Sequence, residues 1–455
     1  MAREGYLSLR GPVARGIGVV LAANLLFFAL MTLAPGEPRL VAARVRNAYE
    51  TGELGTVSYR WFDTRRGVFQ HNDCLVLEML SNRHSSTLER ALAPRTYVTE
   101  NEHNPCVLLR ALVVDGVDPA TLILADRFTR YWHGYNALTG LALRSMELGD
   151  FRRLLRCAVW LSIAVLALAT LRSGFVARRT GLTIALAAAT VWGVQYSAPG
   201  LSQGPGDAFL VLGLAGIAAW PKWTARLAAI VPYAAGFGAG VVFFEMFTGQ
   251  LPTAVAWLAA LTLAAARDQE PLGGLAAPRA VLAAVSAFVL GAAATVVVKQ
   301  SLALALVGPK AAGSFAEHLS LWARVPESVN HVPGVLRPFL ELIRQSRTLT
   351  FGNSAAGYGL LAATALVWAV AATRGWRRRA TPPGGDVRIL LGAALVPIVW
   401  VLLLPNHTSV HAWLMVRLLV VPISLALVAL LWPVWIARRP LVARWSARGD
   451  SIRTT

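Results

Sequence analysis

The chain has no Walker A loop, no Gly-x-Gly-x-x-Gly fingerprint, no Gly-x-Ser-x-Gly elbow and no His-Glu-x-x-His pair. ATP-driven transport and serine hydrolysis therefore lack their usual sequence support. Charge is scarce as well: 15% of the 455 residues are charged and 56% are hydrophobic. That balance, with a mean hydropathy of +0.53, is too apolar for a soluble globule. Acids are the scarcer sign, 24 against 43 Lys and Arg, which leaves a net charge of +19. The excess does not call for nucleic acid, because much of it is a topology signal and an attraction to anionic headgroups. Cysteine is nearly missing, with only Cys74, Cys106 and Cys157. No repeat or low-complexity tract stands out, and Thr381-Pro382-Pro383-Gly384-Gly385 reads as an ordinary turn.

What the chain has in quantity is apolar length. A spanning helix needs about 20 mainly apolar residues. Stretches of that kind lie near 16–35, 154–171, 181–197, 207–220, 227–246, 252–266, 279–298, 354–373, 389–404 and 412–436. The expected fold is therefore an all-α polytopic membrane protein with about ten transmembrane helices. Basic residues gather on alternate connections: Arg3, Arg10 and Arg15 before the first stretch, then Arg178 and Arg179, Lys222 and Arg226, Arg267, Arg374 with Arg377 to Arg379, and Arg438, Arg439, Arg444 and Arg448. The opposite connections 198–206, 247–251 and 405–411 contain neither Lys nor Arg. This bias places both termini in the cytoplasm. Arg152, Arg153 and Arg156 run against it, but they end a long loop, where the rule is weak. The first stretch is expected to stay as an anchor, since Ala34-Pro35-Gly36-Glu37-Pro38 offers no clean cleavage site.

The layout expected from this pattern has six parts. Residues 1–35 form the cytoplasmic start and first span, and 36–153 an extracytoplasmic loop domain with juxtamembrane helices. Residues 154–298 carry spans two to seven, 299–353 a second outer loop, 354–436 the last three spans, and 437–455 a basic tail. Val41, Val45, Ala48 and Tyr49 share one helical side, which suits a helix lying on the bilayer. The run 105–124 is broken by Asp115, Gly116, Asp118 and Pro119, so it reads as amphipathic rather than spanning.

Polar residues concentrate in the outer segments, in four clusters, and each has a functional and a bland reading. Asp73, within Gln70-His71-Asn72-Asp73-Cys74-Leu75, is either a general base at the membrane surface or the cap of a helix beginning at Cys74. Arg130, Trp132, His133 and Tyr135 supply a phosphate fork, stacking faces and an imidazole, or else an interfacial aromatic belt. Glu245 follows Phe243-Phe244 where a helix leaves the bilayer: a costly acid at membrane depth, or an interfacial one. Asn406, His407 and His411 precede Arg417, a guanidinium inside an apolar helix that must snorkel or find a partner in a lipid phosphate, Glu245 or Asp73. His407 and His411 have the four-residue spacing of a metal pair, yet no third ligand matches it. Cys74 and Cys106 share the outer loop and are a candidate disulfide.

These clusters resemble a group of bacterial polytopic membrane proteins. That group has an Asn-Asp pair in the first outer loop, an Arg-Tyr-Trp-His-Gly-Tyr block before the second span, a Phe-Phe-acid motif at a mid-chain helix end, and Asn-His with Val-Arg near the last span. The matches here are Asn72-Asp73, Arg130 to Tyr135, Phe243 to Glu245, and Asn406-His407 with Val416-Arg417, with Glu245 where the group has Asp. The architecture is similar to that of the C-type (GT-C) glycosyltransferases, which use polyprenyl-phosphate sugars and a catalytic acid in a long first outer loop. Glu37-Pro38-Arg39 looks like the acid-x-Arg setting found in several of them, so Glu37 rivals Asp73 as the base.

The resemblance implies transfer of a sugar from a polyprenyl-phosphate lipid to a glycan, lipid or protein acceptor on the outer face of a bacterial inner membrane. In that scheme Arg417, Arg130 and His407 hold the phosphate, and Trp132, His133 and Tyr135 line the sugar site. Glu245, Asn406 and His411 complete the binding set. No cofactor is required, a divalent metal stays open, and membrane lipid rather than nucleic acid is the partner. The alternatives are a flippase for a lipid-linked saccharide, or a polysaccharide polymerase or ligase using 299–353 with Lys299, His318, Arg324, His331, Arg337 and Arg344. Asp73 and Arg130 are expected at one outer cavity, with Glu245 and Arg417 on its wall.

Overall fold

The computed structural model describes residues 10–34, 37–57, 70–83, 85–99, 102, 104–124, 129, 132–221, 226–269, 276–327, 333–346, 354–377 and 382–452. The chain is overwhelmingly helical. Helix α1 (Arg10–Leu33) leads into a segment of shorter helices, which holds α2 (Pro38–Glu50), α3 (Gln70–Ser81), α4 (Thr87–Leu92), α5 (Pro105–Val113) and α6 (Gly134–Ala142). Two short antiparallel strands, β1 (Tyr97–Val98) and β2 (Ile123–Leu124), pair Tyr97 with Leu124 and Val98 with Ile123. The bundle follows with α7 (Leu148–Leu171), α8 (Phe175–Val191), α9 (Val194–Ser197), α10 (Gln203–Ala219), α11 (Leu227–Phe244), α12 (Gln250–Gln269) and α13 (Ala276–Val307). After α14 (Pro309–Ala323) and α15 (Arg337–Arg344) come α16 (Ser354–Arg377) and α17 (Pro382–Leu403). The end is broken into α18 (Pro405–Val410), α19 (Ala412–Met415), a 3-10 turn at Val416–Leu419 and α20 (Val420–Ile452).

Among the described residues, six helical segments are long and apolar enough to cross a membrane: Arg10–Leu33, Leu148–Leu171, Leu227–Phe244, Ala276–Val307, Gly384–Leu403 and Ala412–Arg438. The other four apolar stretches of the sequence coincide with α8, α10, α12 and α16. Large apolar side chains such as Leu25, Leu161 and Leu290 point outward and are exposed, as lipid-facing residues do. Helix α12 is the opposite case. It is buried on every side from Pro252 to Arg267, as an all-round apolar helix must be. Small residues allow the closest helix contact. On α11 and α13, Gly238 lies against the carbonyl of Phe288 and Gly291 against that of Ala235, leaving no space for a Cβ.

Polar anchors sit at the helix ends. Arg267 of α12 grips Asp386 of α17 through Nε (2.9 Å to Oδ2) and Nη2 (2.8 Å to Oδ1), and Trp432 of α20 donates to Oδ2 at 3.1 Å. Asp268 caps α8 by accepting from the amides of Val176 (3.1 Å) and Ala177 (2.8 Å). Both acids stand just outside apolar runs, where a buried basic partner or a helix N-terminus offsets their desolvation.

The segment from α2 to α6 has its own core. Val41, Val45 and Ala48 of α2 are buried there, so the apolar side of α2 faces protein rather than lipid. Tyr49 donates to the carbonyl of Cys106 at 2.6 Å, and Arg46 to that of Val113 at 2.7 Å. A disulfide joins Cys74 of α3 to Cys106 of α5, with Cα atoms 5.1 Å apart. The expected break in 105–124 is seen as α5, a turn and β2. Lys299, expected in an outer loop, lies within α13, fully buried, and donates to the carbonyl of Thr129.

Candidate functional site

Helix α3 begins at Gln70, earlier than the apolar run suggests. The Gln70 side chain accepts from the amide of Gly55 (3.1 Å) and donates to the carbonyls of Gly55 and Val57 (2.7 Å each). The early start puts Asp73 in the first turn instead of at a cap. It also splits the helix into two working faces. His71, Asn72, Leu75, Val76 and Met79 line a cavity of about 230 Å³, whereas Asp73 and Cys74 point elsewhere.

Asp73 is fully buried and sits in an ion pair. Its Oδ2 accepts from Arg152 Nη2 of α7 at 2.7 Å and its Oδ1 from the amide of Leu201 at 2.8 Å. Burial pushes its carboxyl up, opposed by the Arg152 guanidinium and the Leu201 hydrogen bond. The pair also explains the arginine that broke the charge pattern of the loops. Arg152 is 1% exposed and spends a second nitrogen on the carbonyl of Glu53 at 2.7 Å.

The cavity draws its walls from four other places: His133 and Tyr135 at the start of α6, Glu245, Phe247 and Thr248 after α11, Trp322 of α14, and His407, His411 and Leu414 around α18 and α19. Its aromatic wall is continuous. Ring centroids lie 4.4 Å apart for Phe247 and Trp322, 4.6 Å for Trp322 and His407, and 4.6 Å for His407 and His411. Burial lowers the His71 imidazole to about 4, so it is neutral near pH 7.

His133 has the left-handed backbone, with φ 52° and ψ 47°, and is the one non-glycine residue with positive φ among those described. Such strain persists only where surroundings impose it, and it clusters at functional sites. Here the imposition is visible. Trp132 on one side is fully buried, donates to Asn24 at 3.2 Å and packs edge-on against Phe27 and Phe28. Gly134 on the other side has the Phe243 ring where a Cβ would go. Held between them, His133 meets the Tyr135 hydroxyl at 2.6 Å through Nδ1.

Glu245 ends α11 because its own backbone is extended, with φ −159° and ψ 130°. It is 1% exposed, and its Oε1 accepts from the amide of Phe247 at 2.9 Å. The turn closes at Gly249, where φ is +95° and Leu418 packs against the missing side chain.

Of the sequence candidates, the structure thus brings His133, Tyr135, Glu245, His407 and His411 to one cavity. Trp132 and Asp73 support it from behind. Arg417 is in the bundle, pairing with Asp207 of α10 at 2.7 Å and lying 4.1 Å over the Trp192 ring. Asp207 also accepts from Ser197 (2.8 Å) and Gln250 (2.9 Å). Among the described residues its carboxylate partner is Asp207, not Glu245 or Asp73 as considered from sequence. Asn406 donates to the carbonyl of Leu321 at 3.1 Å, and Glu37 is exposed at the start of α2. Arg130 lies outside the described residues. Among the described residues no group of three or more His, Cys, Asp or Glu is placed to hold a metal ion.

Sequence reasoning passed over Trp322 and Asp207. Nothing in the pattern marked Trp322, while Asp207 carried a usable signal as an acid opening an apolar stretch.

A second cavity of about 450 Å³ is lined in part by residues next in sequence to those of the first. Val242, Met246, Leu251, Val289, Leu395 and Trp400 represent its lining, which is almost wholly apolar. Met246 sits in sequence between Glu245 and Phe247 of the polar cavity, and Leu403 of the apolar one lies one turn before His407. No family model, no curated protein and no solved structure matches the chain.

Proposed function

We propose that the protein is a glycosyltransferase of the bacterial inner membrane that moves a sugar from a polyprenyl-phosphate-type lipid to a glycan, lipid or protein acceptor on the outer face. The basic connections are read as cytoplasmic, which puts the polar cavity outside, and all ten apolar helices are read as spanning or filling the bilayer.

The observation that carries the proposal is the juxtaposition of the two cavities. An amphiphile with a sugar head and an isoprenoid tail matches a small polar chamber beside an apolar cleft. At about 230 Å³ the chamber is smaller than the ~300–1,000 Å³ of drug-sized sites, which suits one monosaccharide. Phe247 and Trp322 offer faces for the sugar ring. His407, His411 and His133 offer imidazole donors for its hydroxyls and for the phosphate beneath it.

The test is to purify the protein, extract and weigh the lipid it retains, and supply polyprenyl-phosphate sugar with candidate acceptors. Retained polyprenyl phosphate and a new glycosidic product are expected. A flippase would carry the donor across a vesicle without forming that bond. Retention of ordinary phospholipid alone, with no product, would overturn the proposal.

A further inference from the structure

We infer that Glu245 is the general base of the proposed transfer; the assignment rests on that reading and deepens it. Glu245 is the one carboxylate among the described residues lining the polar cavity. It is 1% exposed and enters at the point where α11 stops. The amide of Phe247 holds Oε1 at 2.9 Å, which fixes the plane of the carboxylate. Its neighbours divide between the two cavities: Met246 lines the apolar cleft, and Phe247 beyond it lines the polar chamber. The carboxylate thus stands at the seam between the chamber for a head group and the cleft for a tail. That seam is where the bond between sugar and phosphate would lie.

The competing acid is Asp73, and its oxygens are committed. Both are engaged by Arg152 and Leu201, and Asp73 is absent from the cavity lining although His71 and Asn72 are present. A base must reach the proton it removes. On the cavity wall that requirement selects Glu245.

The step balances as follows. The acceptor hydroxyl oxygen attacks the anomeric carbon while its proton passes to the Glu245 carboxylate. The bond from the anomeric carbon to the phosphate oxygen breaks, its electron pair stays with that oxygen, and polyprenyl phosphate leaves. His71, His133, Tyr135, His407 and His411 are the other titratable groups on the cavity wall. They line the chamber around the sugar, and the proton held by Glu245 passes to water as the products leave.

The experiment compares wild type, Glu245→Gln and Glu245→Ala with polyprenyl-phosphate sugar in detergent, reading turnover and donor affinity separately. Glu245→Gln keeps an oxygen for the Phe247 amide. It should lose about 100-fold or more in turnover, within the range of general-base effects, while donor affinity changes less than about threefold. Formate, a small carboxylate, should restore part of the turnover of Glu245→Ala. Turnover at the wild-type rate in Glu245→Gln overturns the assignment. So does an equal loss of donor binding and turnover in both variants without rescue by formate. Failure of the underlying reading looks different, because then the wild type itself forms no product.

Discussion

Substituting Asn for Asp73 leaves the Arg152 guanidinium buried with half its partners gone. Arg152 is 1% exposed and cannot shed its proton, and the 2.7 Å contact with Asp73 Oδ2 is its carboxylate contact within 3 Å. Glu53 stands 4.0 Å away, too far for a strong hydrogen bond. Breaking a buried pair by removing one member costs ~3–5 kcal/mol. Asp73→Asn retains an acceptor for the Leu201 amide, so its cost should fall near the lower end. Asp73→Ala also orphans that amide and should add ~1–3 kcal/mol. Arg152→Met strands the carboxylate instead, and burial then drives it to take up a proton, which softens the loss. The double variant Asp73→Ala/Arg152→Met removes both charges and should recover a coupling of ~1–3 kcal/mol relative to the sum of the singles. Reversible unfolding in detergent, followed for all members of the cycle, reads these differences directly. An Asp73→Asn protein within ~0.5 kcal/mol of wild type, the scatter of ordinary surface changes, would refute the strut. So would strict additivity of the two singles.

Glu78 gives a pH-dependent companion. Burial lifts its carboxyl from 4.5 to about 8, while its hydrogen bond from the Tyr97 amide opposes the rise. Because the folded-state value is raised, its contribution is full below about pH 4.5 and is lost as pH climbs through about 8. Stability should fall over that window by a few kcal/mol, and Glu78→Gln should flatten the profile; equal pH dependence in both proteins, measured by thermal unfolding, would contradict it. Gly134→Ala pushes a methyl into the Phe243 ring, which is stacked on Phe27 at 4.1 Å, so it should cost ~1–3 kcal/mol as overpacking. An unchanged melting temperature would mean that the ring moves aside freely.

The fold was legible in the sequence wherever it depended on composition over a window. Each of the ten apolar stretches is largely helical, although 181–197 and 412–436 are each interrupted, because about 20 apolar residues leave no other way to satisfy the backbone in lipid. Partner choice was less legible. Arg417 is visibly costly in an apolar helix, but its partner Asp207 is 210 residues away, at the start of another apolar stretch, and no spacing pairs the two. Asn72 and Asp73 are adjacent in sequence, yet the register of α3 turns Asn72 to the cavity and Asp73 to Arg152. That register depends on Gln70 bonding backbone 13 and 15 residues upstream, a contact no helical period encodes. Val41, Val45 and Ala48 were correctly grouped on one face. Periodicity tells that such a face is covered, not whether lipid or protein covers it.

The clamp of Arg267 on Asp386 constrains how a lipid could enter. Helices α12 and α17 run in opposite directions, joined at Arg267 and Asp386, and both line the apolar cleft at their other ends, with Leu251 and Leu403. Parting them at the joined end means breaking a buried bidentate pair, at ~3–5 kcal/mol. Parting them at the cleft breaks only side-chain packing. For the proposed lipid donor the pair would serve as a fulcrum: a splay of the two helices would widen the cleft while the Arg267–Asp386 end stays shut. An isoprenoid chain admitted this way would enter sideways from the membrane and carry its head group into the chamber behind Glu245.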